Sequence, residues 1–499
     1  MVETGNKKSK EPAYRLAKGV TCHQQKKAFQ LVLSYPLKAI RLHPSWGAVF
    51  KALAGREFVP LDTIASLLQG PEPLQVELFL NDLVSKGFLE TENTPALSDY
   101  PFVSIIIPVR NRPREIEDCL RSLEELYYPS SSLEILVVDD ASTDDTPQRV
   151  SRFPVELIRL QENRQAPHCR NLAAKKAKGD ILAFIDSDCR ADPQWLRDLV
   201  PVFRDTRIAA VGGRVEGYFK DSGLDRYEAV KSSLIIGRRI RRSADKDMAF
   251  YVPSCNLLAR KDVFLSLGGF KESLIVGEDV DFCWRLQDAG HHVEFRPTGR
   301  IHHKHRNRLI PFCKRRYDYG TSEPMLQHLH PNRGKEMVFP LGASLFWSMG
   351  MIAGLFQTFL PLVLWVGIVF VDSLGKRKRV RQSEVPIPFP ALFLSVVRSY
   401  GVFFYNGCAF MSRYYLIWSI PVLLFWPLVF LVLWAMHVFT GLLEYVMRKP
   451  RLNLVGFLFY FSLDQLSYQS GVWWGCLRHL SFRAVNPRLV REAGTLVRP

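Results

Sequence analysis

Three nearly continuous apolar runs alternate with segments of helical character: Val103-Ser104-Ile105-Ile106-Ile107-Pro108, Leu133 to Val138 and Ile181 to Ile185. A strand apolar on both faces belongs in a sheet covered by helices on both sides, which rules out a half-exposed antiparallel sheet here. The intervening segments fit helices over Arg114 to Leu126, with Ile116, Leu120 and Leu123 on one side, over Pro167 to Lys178, and over Gln194 to Phe203. Thr146 to Phe153 starts another crossover, and His292 to Phe295 is a last strand. From Pro101 to about residue 330 the reading is therefore a doubly wound α/β unit. In such a unit ligands sit beyond the carboxyl ends of the strands.

The chain has 499 residues, 47% of them hydrophobic, enough for two or three structural units. Residues 1–13 are expected to be flexible, and residues 93–100 to link the first unit to the second. Between them, residues 14–92 read as a small winged-helix-like domain. Strands at Ala28 to Leu33 and Leu37 to Leu42 flank a turn at Ser34-Tyr35-Pro36. Helices follow over Trp46 to Ala54, Ile64 to Leu68, and Leu74 to Val84. A net charge of +17 raises nucleic acid as a partner. The segment that would read it, Leu74 to Lys86, carries Glu77 and Asp82 and one lysine, so no nucleic-acid partner is expected. Peptide recognition or bracing of the next unit remain for this domain.

Residues 331–499 are expected to form a membrane-associated helical region. Met337 to Val371 and Tyr414 to Leu443 lack formal charge, and a span needs about 20 apolar residues. The first stretch holds one long span, or two short ones folded at Pro361. Lys376 to Arg381 between the stretches reads as a basic loop on the cytoplasmic side, solvated or in contact with anionic membrane lipids. Met1 to Lys18 has no apolar run, so a cytoplasmic N-terminus is expected. Nine scattered cysteines form no CxxC pair and read as reduced packing thiols.

Chemistry concentrates at four places. Asp139-Asp140 follows the second strand, where a carboxylate accepts a hydrogen bond from a nucleobase or ribose, or caps the turn through Ser142. Asp186-Ser187-Asp188 follows the third strand, where two carboxylates can approach a divalent cation, although acidic turns of this kind are common. Gly277-Glu278-Asp279 opens a helix, where carboxylates either complement the helix dipole or act as a base. His302-His303-Lys304-His305-Arg306 offers imidazoles and cations to a diphosphate or metal edge, to a separate zinc site, or only to solvent.

Taken with Pro108-Val109-Arg110-Asn111, Asn171 and Gly179-Asp180, this ordered set resembles the family 2 glycosyltransferases over Phe102 to Tyr319. The resemblance implies a GT-A nucleotide-sugar-binding fold and a single inverting displacement. It implies Pro108, Asn111, Asp139, Asp140, Asn171, Asp186 and Arg306 against the nucleotide sugar. Asp188 with Asp186 would hold Mg2+ or Mn2+, with His303 and His305 at the diphosphate or metal edge. Asp279 would be the base and Glu278 would orient the acceptor. The QxxRW pattern of processive synthases is missing; Arg315-Arg316-Tyr317 is not that motif.

The domain order is similar to the mycofactocin-system glycosyltransferases, which join a domain like the peptide chaperone of pyrroloquinoline quinone biosynthesis to a family 2 domain. That likeness implies UDP-glucose as donor, mycofactocin or its peptide-derived precursor as acceptor, a short β-linked glycan as product, and a catalytic domain on the cytoplasmic face of the cell membrane. The alternatives are a lipid-linked or cell-envelope glycan acceptor, and a noncatalytic nucleotide-sugar-binding scaffold.

Overall fold

The computed structural model describes residues 11–24, 28–34, 37–55, 57–68, 70–92, 99–243, 250–356, 360–382 and 387–491. The expected flexible residues 1–10, the Tyr35-Pro36 turn and most of the linker, residues 93–98, lie outside them. The chain folds as two compact units. One is built between Thr94 and Arg333 and between Gly441 and Val485; the other draws on Lys10 to Asn93, Gly334 to Thr440 and the segment after Asn486.

The first unit is α/β. Its eight-stranded sheet runs in the order Arg241–Arg242, His292–Phe295, Ile208–Gly212, Asn256–Arg260, Ile181–Ile185, Val103–Val109, Leu133–Asp139, Glu156–Arg159. The last four named are mutually parallel, as the apolar runs predict. Asn256–Arg260 is antiparallel to both of its neighbours, so the sheet is mixed where a purely parallel one was expected. The pleat sends Ile105, Ile107 and Ile185 to one face, against Ile116, Leu120 and Leu123 of the helix Pro113–Glu124. Ile106, Val138 and Phe184 point to the other face, against Cys169 and Ala173 of the helix Gln165–Lys176 and Phe282 of the helix Glu278–Asp288. Each such side chain contributes about 1.5–3 kcal/mol by leaving water.

Two further helices complete this unit. Leu309–Leu329 and Leu454–Arg478 run so close that a Cβ at Gly320 would fall 2.1 Å from the Tyr468 carbonyl oxygen, and one at Gly471 2.0 Å from that of Tyr317. Only glycine permits this approach. A small second sheet, ordered Cys189–Ala191, Ile301–His303, Val215–Gly217, lies beside the main one in sequence and carries part of the site.

The second unit opens with two three-stranded sheets, one of Val59–Pro60, Ala13–Leu16 and Leu89–Glu92, the other of Val20–Gln24, Phe29–Ser34 and Leu37–Leu42. Helices Gly47–Leu53, Leu61–Ser66 and Pro73–Ser85 match the expected three, and the Trp46 ring lies 4.4 Å from that of Phe79. The strand count exceeds the expected pair because Ala13–Leu16 and Val20–Gln24 are short and carry mixed polar residues.

The apolar region follows one of its two expected forms in a division near Pro361 and departs from expectation in two other ways. Met337 to Val371 divides into Leu341–Phe356 and Leu360–Gln382. Lys376 to Arg381 is helical, the end of the second of these; lysine and arginine are good helix formers and complement the negative end of the dipole. Phe389–Tyr414 is a 26-residue helix that Arg398 and Arg413 hid from a search for charge-free runs. Among the described residues one helix, Pro427–Arg448, is long and apolar enough to cross a membrane.

Candidate active site

The carboxyl ends of Val103–Val109 and Leu133–Asp139 continue into two loops that are laced together. Asn111 takes a left-handed backbone (φ 50°), which turns its amide N–H to the Ser142 hydroxyl at 2.9 Å, while its Oδ1 accepts from Thr143 N at 2.9 Å. Pro108 is buried one strand residue before this loop. Asp139 is fully buried. Its Oδ1 accepts from Ser142 N at 3.2 Å, whereas its Oδ2 has Arg159 Nε at 3.5 Å and no hydrogen-bond partner.

Asp140 behaves differently: both of its oxygens accept backbone N–H groups, from Arg164 at 2.6 Å and Gln165 at 3.0 Å. Its carboxylate thus caps the start of the helix Gln165–Lys176. The Asn171 amide is likewise committed, donating to the Phe270 carbonyl at 2.7 Å and to Glu272 at 3.1 Å while accepting from Phe270 N at 2.8 Å. Of the residues expected at the nucleotide, Asp139 is the one that keeps a buried oxygen without a hydrogen-bond partner.

One arginine joins the strand-end carboxylates to the helix-start carboxylates. Arg170 is buried; its Nη2 donates to Asp186 Oδ1 at 2.6 Å and its Nη1 to Glu278 Oε1 at 2.9 Å. Glu278 also accepts from the Ser254 hydroxyl at 3.1 Å. Gly277, at φ +87°, turns the chain into the helix Glu278–Asp288, and a side chain there would press on Leu326. Half-buried Asp279 accepts from Ser254 N at 3.1 Å and from Val280 N at 2.8 Å. Burial, and then the Glu278 charge beside it, push its carboxyl up to about 7.

Asp188 is set by sheet register. Cys189 pairs with His303 across the small sheet, which puts Asp188 beside His303, with Nε2 to Oδ1 at 3.5 Å. Arg112 donates to Asp188 Oδ2, and Oδ1 is buried without a hydrogen-bond partner. Burial opposes the charge on Asp188, but His303 and Arg112 outweigh it and hold the carboxyl below its usual range. Among the described residues Asp188, Cys189 and His303 offer ligand atoms within 4.8 Å of one another. Burial raises the Cys189 thiol well above its usual range, and hard divalent cations prefer oxygen and imidazole to sulfur. Asp188 Oδ1 and His303 Nε2 are left as a donor pair suited to a divalent cation. Asp186, expected beside Asp188 on the same ion, is not in that group; Arg170 takes its Oδ1.

The basic run after the small sheet divides by residue. His303 and His305 face each other, Nδ1 to Nδ1 at 3.2 Å. Burial, with His303 and Arg316 adding to it, lowers His305 to about 3, so it is neutral. Lys304 pairs with Asp118, away from the diphosphate part expected of it. Exposed Arg306 feels Arg315, Arg112 and Asp188.

Arg112, Arg170, Ser254 and Arg315 were not singled out from the sequence. Arg315 lies over the Tyr319 ring at 4.6 Å; burial works against its charge, while Tyr319, Glu278 and Asp186 favour it. The available signals were adjacency, Arg112 to Asn111 and Arg170 to Asn171.

Behind the histidines, buried Arg316 donates to Glu228 and to the Ser233 hydroxyl at 3.2 Å, with Asp464 Oδ1 at 3.3 Å from its Nε. The Tyr227 hydroxyl donates to Asp464 at 2.8 Å, and His305 Nδ1 lies 3.8 Å from Glu228.

Residues 104–264 match the family model for Glycosyl transferase family 2. The chain is 27% identical over 410 residues to the pre-mycofactocin glycosyltransferase of Mycobacterium tuberculosis, covering 78% of this chain and 82% of that one. It is 34% identical over 205 residues to glycosyltransferase AglE of Haloferax volcanii, covering 40% and 65% of the two chains. To a beta-monoglucosyldiacylglycerol synthase of Nostoc sp. it is 26% identical over 194 residues, 37% of this chain and 41% of that one.

Proposed function

With residues 104–264 a family 2 glycosyltransferase domain of GT-A-like α/β fold, and the chain therefore a glycosyltransferase, we propose that it transfers a sugar from a nucleoside-diphosphate donor to a hydroxyl of a lipid-linked or cell-envelope acceptor. The observation that carries the donor reading is a pair of buried carboxylate oxygens without hydrogen-bond partners, Asp139 Oδ2 and Asp188 Oδ1, each with a single nitrogen at 3.5 Å, from Arg159 and His303. The first suits a nucleobase N–H, and the second a divalent cation. A cation held by Asp188 and His303 would neutralise the diphosphate and the charge that grows on it as the sugar leaves. An imidazole in the set favours Mn2+ over Mg2+.

Asp279 takes the proton of the acceptor hydroxyl while the oxygen bonds to the anomeric carbon and the bond to the diphosphate breaks, with inversion. Glu278, fixed by Arg170 and Ser254, orients the acceptor. Arg306 and Arg315 supply positive charge on the leaving-group side.

The lipid acceptor is supported by the likeness to a diacylglycerol-modifying relative and by the apolar helix Pro427–Arg448, read as a membrane attachment. The last turn of that helix holds the catalytic unit: Arg448 donates to the Val230 carbonyl at 2.6 Å, and Glu444 lies 3.3 Å from Lys231 Nζ. With Lys449 and Arg451 beyond it, this end is read as cytoplasmic.

A peptide-derived mycofactocin precursor is the second reading, favoured by the 410-residue alignment, which extends well beyond the catalytic match. Residues 14–92, with the Trp46–Phe79 contact, then serve as the peptide-receiving domain. Mass spectrometry of products formed by the full chain from UDP-glucose or GDP-mannose, with polyprenyl phosphate, diacylglycerol or the peptide precursor as acceptor, decides the matter. A glycosylated lipid is the expected product. Transfer confined to the peptide replaces the first reading with the second.

A further inference from the structure

We propose that the helix Leu454–Arg478 lies flat on an anionic membrane surface and seats the catalytic unit there. The inference rests on the reading of Pro427–Arg448 as the membrane attachment. At 25 residues this helix is about 37 Å long, enough to cross a bilayer. Its packing forbids that. Asp464, Gln465 and Gln469 are buried on one side, Asp464 in contact with Tyr227 and Arg316, and Gly471 touches the backbone of Leu309–Leu329. That whole face belongs to the globular unit.

The opposite face is open toward its two ends, with Leu463 and Leu466 between them half-buried. Val455 (78% exposed), Phe459 (52%), Trp474 (54%) and Leu477 (57%) fall within about 100° of arc at helical spacing, with Leu480 (86%) just beyond the end. Exposed apolar side chains at both ends of one helical face mark an interaction site. Its surroundings select the occupant. Exposed Lys449 and Arg451 precede the helix, exposed Arg478 ends it, exposed Arg483 follows it, and its one acidic residue, Asp464, is buried on the other side. Cations flanking an apolar face match acidic headgroups over acyl chains.

Continuity points the same way. Only Lys449 to Asn453 separate the helix from Pro427–Arg448, and Asn453 caps its first turn through Gly456 N at 2.8 Å. A chain leaving the bilayer at Arg448 thus turns directly into a segment that keeps one side in lipid and offers the other to the catalytic unit.

The test places an environment-sensitive fluorophore on single introduced cysteines, F459C, L477C and, in the attachment helix, V432C, in the full chain. The protein is held in nanodiscs of phosphatidylcholine and phosphatidylglycerol, and the signal of the similarly treated unsubstituted chain is subtracted. Lipids spin-labelled near the headgroup should quench the Phe459 and Leu477 positions at least about twofold more than lipids labelled at the acyl terminus, the depth expected of an interfacial helix. The Val432 position should show the reverse preference. Quenching at Val432 with none at Phe459 and Leu477 overturns the proposal and leaves the attachment standing; such a face meets water or a second copy of the chain. Deep quenching at all three positions overturns it as well, since the helix would then be inserted. Absence of quenching at Val432 removes the attachment and the proposal together, and the transfer assay above is unaffected by any of these results.

Discussion

The carboxylates at the ends of the strands and those at the start of the helix Glu278–Asp288 share one arginine, yet their surroundings set them to opposite tasks. Asp186 and Asp188 each face a guanidinium, Arg170 and Arg112, and Asp188 is held ionised below its usual range. Asp279 has no guanidinium in contact; it accepts two backbone N–H groups, sits beside the charge of Glu278, and is pushed up to about 7. A carboxylate that must stay negative is surrounded by cations. One that must exchange a proton near neutrality is placed next to another anion in a half-buried pocket.

The sharpest way to break this contrast is at Asp279. Asp279→Asn removes the proposed proton acceptor while keeping the shape, so transfer should fall on the order of a thousandfold with nucleotide affinity retained. The pH profile of the unmodified enzyme carries the sign. The free acid cannot act as base, so kcat/KM should fall about tenfold per pH unit below about 7 and level off above it. Glu278→Gln removes the neighbouring negative charge and should move that limb to lower pH. A limb that stays in place in E278Q places the titrating group elsewhere.

At the strand end the expected effect is next in size. Asp188→Ala should lower turnover on the order of a few hundredfold. It should also abolish Mn2+ binding as read by electron paramagnetic resonance or calorimetry. Stability should change little, because the Arg112 it releases reaches solvent. Wild-type Mn2+ affinity in D188A would detach Asp188 from the cation.

How far the sequence carries this site depends on residue type. The carboxylates are legible because an apolar strand with no solvent side must end at the crevice, and Ile181–Ile185 and His292–Phe295 have the expected bounds. The arginines are not. Arg170 lies in the helix expected over Pro167 to Lys178, where nothing sets it apart from Lys175 and Lys176, and its partners Asp186 and Glu278 come from segments that only the fold brings together. The same reason hides Asp140 as a cap and Asn171 as a tie to Phe270, since those contacts consume backbone groups that sequence does not mark.

Strand order was legible only in part. Ile208–Gly212 and Asn256–Arg260 are short, and the second begins with a polar residue, so the antiparallel insertion in the middle of the sheet left no periodic signal. Leu454–Arg478 escaped because Asp464, Gln465 and Gln469 interrupt its apolar run. Those residues are buried against the protein.

Asp464 supplies the control for the whole comparison, a buried carboxylate with an arginine partner but no reacting group within reach. From the helix Leu454–Arg478 it ties Tyr227 and Arg316 of the helix Leu309–Leu329, and Arg316 in turn has Glu228 as its second anion. Asp464→Asn keeps the shape and one acceptor oxygen but loses the charge facing Arg316, which should cost about 1.5–3 kcal/mol of stability. Turnover per folded molecule should stay within about threefold of wild type, since Glu228 still pairs the guanidinium. Heat denaturation of the full chain and kcat measured on the folded fraction read the two quantities separately. D188A should lose rate without stability and D464N stability without rate; a large fall in kcat for D464N would mean that the Arg316–Glu228–His305 contacts transmit to the site instead of only packing behind it.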